Sequence, residues 1–208
     1  MAVFTAKIDS KAIKSMAADA IDVKIKKSKV NIEREKRRAF AELIRGINNH
    51  PITRELNAGA EGGTGILTGG YGNLFSFIGF DKSSDPVKVI INYIEDKVRS
   101  GVNIRRKGLN AWEVVVNIPT MRELETLTPM PWAQGRSWLR GIETGISGLG
   151  RYLFSEKVAK SSSRSGEAIQ SSKPIRRSAR FVTQKYMSSL LEDFERDLIE
   201  MMKKSVIK

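Results

Sequence analysis

From Ser10 to Asn48 the chain runs without a proline and with a single late glycine, Gly46. No other feature constrains the fold as much, because proline and glycine are the residues that most disfavour a helix interior. Ser10 supplies an N-cap, and Ile13, Met16, Ala17, Ala20 and Ile21 follow at three- and four-residue steps. Lys24, Lys26, Lys27 and Lys29 interrupt that apolar stripe, which resumes at Ala39, Phe40, Leu43, Ile44 and Ile47. The pattern predicts one long helix, or two joined near Ser28. Pro51 pushes His50 away from helical angles and ends it. One more turn over Thr53–Leu56 leads into "GAEGGTGILTGGYG" (59–72).

Seven of those fourteen residues are glycine. Such a stretch either cradles a phosphate or takes shape against a neighbouring subunit. A phosphate loop of the form G-x-x-x-x-G-K-[ST] needs a lysine, and this stretch has none. The dinucleotide form G-x-G-x-x-G fails as well, since Thr68 stands where a third glycine would follow Gly63 and Gly65. The stretch therefore reads as a mobile loop or an intersubunit arm. Ordering so many glycines costs entropy that only new contacts offset.

Beyond the glycines the elements are short. "NLFSFIGF" (73–80) is aromatic and apolar and reads as a strand or buried loop. "DPVKVIINYIEDKVR" (85–99) is a helix with Asp85 as N-cap and Pro86 at its first position. Its apolar face is read as Val89, Ile90, Tyr93, Ile94 and Val98. Residues 101–119 carry a hairpin signal, with a first strand through Ile104, a turn at Lys107–Asn110 and a β-branched return strand. "TMRELETL" (120–127) is a short helix capped by Thr120 and Glu123. "SWLRGIETGISGLGRYLF" (137–154) reads as two short strands around a glycine-rich turn. Residues 183–208 form an amphipathic helix through Tyr186, Leu190, Leu191, Phe194, Leu198 and Met201.

This order of elements is α+β. It predicts a small mixed or antiparallel sheet packed with helices, a long N-terminal helix, a C-terminal amphipathic helix, an extended glycine-rich loop and a basic arm. The regions are a helical part (1–57), an α+β body (58–154) with its loop at 58–72, an arm (155–182) and the last helix (183–208), all within a single domain.

The net charge of +13 implies an acidic partner. Basic residues concentrate at 24–38, 97–107 and 155–180. The first cluster is interleaved with Glu33 and Glu35, as a solvated helix face would be. The third is serine-rich and without aromatic residues, and reads as an extended arm that orders on binding. Its Arg164, Lys173, Arg176, Arg177 and Arg180 are the candidate interaction residues, facing carboxylates or phosphates.

Catalytic constellations are sparse. The chain has no cysteine, which excludes disulfides, thiolate metal sites and cysteine nucleophiles. Its one histidine, His50, stands at a helix end, where a structural role is the default. Glu123 and Glu125 read as solvated helix surface. We expect no catalytic, cofactor or metal site and no enzyme. No apolar run approaches a membrane span, and "MAVFTAKIDSKAIK" lacks the apolar core of a signal peptide. The expectation is synthesis in a cytoplasm, without a membrane partner. Non-specific nucleic-acid binding is the rival reading, because the basic clusters suit phosphate contacts. Yet Phe75, Phe77, Phe80, Trp112, Trp132 and Trp138 lie outside those clusters and read as core, not as stacking platforms.

The later half carries a resemblance. "PMPWAQGRSWLRGIETGISGLGRYLF", with Trp138, Gly141, Glu143, Thr144 and Gly145, resembles the strand-and-turn segment of tail-completion (neck, head–tail joining) proteins of tailed bacteriophages. The similarity covers element order over most of the chain and is most specific over residues 129–200. Two departures stand out: "ETG" replaces the family's "E-x-G-T", and the Ser/Arg/Gly segment follows this hairpin instead of preceding it. The resemblance implies a non-catalytic virion protein that assembles as a homo-oligomeric, hexameric ring between the portal-side connector and the tail. Its partners would be neck, connector or tail proteins, with non-specific contact to duplex DNA in the channel. A tail-tube terminator or another virion component fits the same resemblance.

Overall fold

The computed structural model describes residues 18–63, 65, 73–106, 112–131, 133–145, 152–154, 168–170 and 183–207. The fold is α+β, as expected. Seven α-helices and three separate two-stranded antiparallel pairs are present among the described residues. These residues divide into two compact units. The first takes the chain through Arg45, then Tyr93–Thr120 and the residues from Leu190 onward; the second takes Gly46–Asn92 and Met121–Ser189.

In the first unit, helix α1 (Ala18–Asn49) is continuous across Ser28, so from Ala18 onward the single-helix alternative holds, while the expected cap at Ser10 lies outside the described residues. Its buried seam is Ile32, Lys36, Ala39, Phe40 and Leu43, at the three- and four-residue steps of one helix face. The end of helix α4 (Pro86–Arg99) leads into strands β1 (Asn103–Arg106) and β2 (Trp112–Val115). These pair with Ile104 opposite Val114. The hairpin is as expected, although its first strand runs two residues past Ile104, and its turn lies outside the described residues. Val102, Val114, Val116 and Ile118 are buried. Most of helix α7 (Met187–Ile207) belongs here, with Leu191, Phe194, Leu198 and Met202 buried. The Phe194 ring meets the Phe40 ring edge-on at 4.7 Å.

The second unit departs more from expectation. Helix α2 (Pro51–Asn57) begins with Pro51 in the first turn and ends in a 3-10 turn, Gly59–Glu61. The 73–80 segment is not a strand. It forms helix α3 (Leu74–Ile78), with every residue of the helix buried. Its caps explain the outcome. Asn73 Oδ1 accepts the Ser76 N–H at 2.8 Å, and Gly79, at φ 86, donates its N–H to the Phe75 and Ser76 carbonyls. Helix α4 is capped as predicted, with Asp85 Oδ1 accepting the Lys88 N–H at 3.1 Å. Its buried seam is Val87, Ile90 and Ile94, while Val89, placed on the apolar face from sequence, is 45% exposed.

Helix α5 (Met121–Leu127) forms as expected. The 137–154 segment is corrected as well. Strands β3 (Pro129–Met130) and β4 (Ala133–Ser137) pair, and β4 runs directly into helix α6 (Trp138–Thr144). Ser137 Oγ accepts the Arg140 N–H at 3.1 Å and starts that helix. Strand β5 (Tyr152–Phe154) then pairs with β6 (Ala168–Gln170), a strand that falls within the basic arm. Trp138 is buried, and its ring lies edge-on to Phe80 at 5.8 Å, which in turn sits 5.3 Å from Phe75. Phe75, Phe77, Phe80 and Trp138 are thus core residues, as read from sequence.

Candidate functional site

The candidate residues read from sequence, Arg164, Lys173, Arg176, Arg177 and Arg180, all lie outside the described residues. The first basic cluster is described, and α1 sorts it by face. Lys27, Arg34, Arg38 and Arg45 recur at i, i+7, i+11 and i+18 and are exposed, as is Arg37. At 1.5 Å per residue this row extends about 27 Å along one side of the helix. Arg38 pairs with Glu42 at 3.5 Å and Arg34 with Glu35 at 3.6 Å. Lys36 belongs to the opposite face. It is 2% exposed, and its Nζ donates to the Val98 carbonyl at 3.0 Å and to the Ser100 carbonyl. Those carbonyls close the end of α4, so this lysine acts as a C-terminal cap. Burial lowers its pKa from the ordinary value. In the second cluster, Lys97 bonds Asn117 Oδ1 at 3.2 Å and Arg99 pairs with Asp96 at 3.1 Å.

The two ends of the glycine-rich segment are held by side chains. Asn73, fully buried, donates through Nδ2 to the Ala60 and Gly62 carbonyls at 2.9 Å each, while its Oδ1 caps α3. Glu55 Oε1 accepts the Leu74 N–H at 2.7 Å. Burial raises the Glu55 pKa, and the Leu74 N–H opposes that rise. Gly65 is buried, and a Cβ there would overlap the Glu55 carboxylate. A side chain at this position would therefore have to push the Glu55 carboxylate off the Leu74 N–H. Residues 64 and 66–72 lie outside the described residues.

Glu143, from the segment that carries the resemblance, reaches from α6 to the start of α7. Its Oε1 accepts the Tyr186 N–H at 3.2 Å and the Ser188 N–H at 2.8 Å. A carboxylate there satisfies N–H groups that the first helical turn leaves orphaned and meets the positive end of the helix. Tyr186 is itself buried, its hydroxyl 2.6 Å from Thr53 Oγ1 and its pKa pushed up to about 12, chiefly by burial. The His50 ring packs 4.7 Å from the Tyr186 ring, and His50 Nδ1 accepts the Ile52 N–H at 3.3 Å as the N-cap of α2.

The His50 cap is pH-dependent. Burial lowers the His50 pKa from its ordinary 6.5, and only the neutral ring can accept the Ile52 N–H. The unfolded chain takes up the proton first, so stability falls as pH drops from 6.5 through the lowered value. Replacing His50 with Asn, a cap that does not titrate, is expected to remove this dependence. Thermal unfolding from about pH 8 to about pH 5 should then show the wild type losing about 1 kcal/mol more than the variant. Parallel curves would show that the ring does not cap in its neutral form.

One concavity brings charged side chains together. Its volume is about 570 Å³, and it lies among α5, the β3–β4 pair and α6. Arg122, Arg136 and Arg140 line it, together with Glu125, Met130 and the glycines at 135, 141 and 145. The arginines are exposed, and Arg140 lies 3.9 Å from Glu125, a separation at the edge of an ion pair. Reading the sequence for charge runs missed this group because its arginines come from three different elements. Glu125, read as solvated helix surface, is half-buried at its edge. Among the described residues no group of three or more metal-ligating side chains is present, and no helix is long and apolar enough to cross a membrane. Comparison with family models, curated proteins and solved structures found no match to this chain.

Proposed function

We propose that this chain is a structural virion protein of the phage head–tail junction. In this reading it assembles as a homo-oligomeric ring that joins the portal-side connector to the tail. The supporting observation is how the buried and half-buried polar groups are used. Glu143, Asn73, His50 and Lys36 all bond backbone groups that end or start helices. These polar groups thus build a scaffold, while the exposed arginines around the α5–α6 concavity face outward toward acidic surfaces. The resemblance over residues 129–200 supplies the particular assembly.

Non-specific nucleic-acid binding is the second reading, supported by the row of cations on α1. One experiment separates the two. Mass spectrometry of purified particles, with immunogold labelling, is expected to place the chain at the neck as a ring of defined copy number. An R37A/R45A variant should be incorporated normally. Absence from particles, together with DNA affinity whose log–log salt slope falls by about 2 in that variant, would replace the assembly reading with the nucleic-acid one.

A further inference from the structure

We infer that the concavity framed by Arg122, Arg136 and Arg140 binds the carboxylates of an acidic peptide segment. That the segment belongs to a virion neighbour rests on the assembly reading above; the site itself does not. The three arginines come from separate elements: Arg122 from the start of α5, Arg136 from β4 and Arg140 from α6. Guanidinium groups are planar forks of donors that match carboxylates in bidentate fashion, and the charge survives at any physiological pH. Glu125, the acid that lines the concavity, comes only within 3.9 Å of Arg140, a contact that an incoming carboxylate can replace.

The rest of the lining points to a peptide. Met130 and Pro129 give the wall apolar surface, which suits the aliphatic stems of glutamate side chains. Gly135 and Gly145 contribute no side chains to the lining, and a Cβ at Gly135 would meet open space. A space of about 570 Å³ lies within the usual range of ligand sites and admits several side chains at once.

The test uses the full-length chain and a fluorescent hexaglutamate peptide, followed by anisotropy. R122E/R140E is compared with R37E/R45E, which changes net charge equally but on α1. The inference requires the first variant to weaken binding about tenfold or more and the second to change it little, since each lost charge-assisted bond is worth about that factor. R122Q/R140Q repeats the comparison should charge reversal disturb folding, with circular dichroism as the control. Equal losses in both charge-reversal variants would mean attraction by net charge alone and would overturn the site. So would a wild type that ignores the peptide, or one that binds a DNA duplex through these arginines and not the peptide. Concavity-dependent peptide binding by a chain absent from particles would sink the junction reading and leave this one standing.

Discussion

Replacing Glu143 with alanine is expected to destabilise the protein by about 2–4 kcal/mol, with the loss centred on the first turn of α7. One carboxylate oxygen accepts both the Tyr186 and Ser188 N–H groups, 43 and 45 residues later in the chain at the entry to α7. Removing it orphans two donors in a partly buried place. It also strips negative charge from the positive end of a 21-residue helix. Glu143→Gln keeps an acceptor oxygen and loses only the charge, so it should cost roughly 1 kcal/mol and lose its difference from wild type in high salt. Urea unfolding of the three proteins measures this order. If alanine and glutamine are equally harmful, the charge carries the contact; if both are neutral, water caps α7 equally well.

The long elements were legible in the sequence because they repeat a period often enough to be seen. The α1 seam at Ala39, Phe40, Leu43 and Ile47, the α4 start at Asp85–Pro86 and the α7 stripe at Leu191, Phe194 and Leu198 appear where periodicity and caps place them, although α7 starts at Met187, after Tyr186, and buries Met202 where Met201 was expected. Helices α3 and α6 were not legible by period, since five and seven residues give barely two turns at most. Their aromatic content then read as β. The deciding signals were single residues: Asn73 and Gly79 around α3, Ser137 and Gly145 around α6. Lys36 was hidden in a different way. It counted as one charge in a basic run, yet it stands four residues from both Ile32 and Phe40, on the seam rather than the surface. The arginine-lined concavity depends on how three consecutive elements fold back on one another, and the role of Glu143 on a contact with residues 43 and 45 positions away; neither is encoded in a local period. Gly65 shows the middle case: the glycine-rich stretch was visible, but the approach of the Glu55 carboxylate to one of its glycines was not.

Asn73 should be the most sensitive polar position in the second unit. It is fully buried and uses its whole side-chain amide: Nδ2 donates to the Ala60 and Gly62 carbonyls, and Oδ1 accepts the Ser76 N–H. It thereby holds the two ends of the glycine-rich segment within one side chain's reach and starts α3 at the same time. Asn73→Ala leaves three backbone groups without that partner. Each orphaned buried group costs about 1–3 kcal/mol, and because neighbours share the loss, a total of about 3–5 kcal/mol is expected. Asn73→Asp separates the two roles. A carboxylate still accepts the Ser76 N–H but cannot donate, and it faces the Ala60 and Gly62 carbonyls with like partial charge. Asp should therefore keep α3 and release the stem. Hydrogen exchange reads the difference, with the Phe77 and Gly79 amides staying protected in Asn73→Asp while the Gly62 amide, bonded to the Gly59 carbonyl at 3.3 Å, loses protection. Uniform loss across both regions would show that cap and clamp form one cooperative unit. Unchanged protection at Gly62 would show that Glu55, through the Leu74 N–H, closes the stem without Asn73.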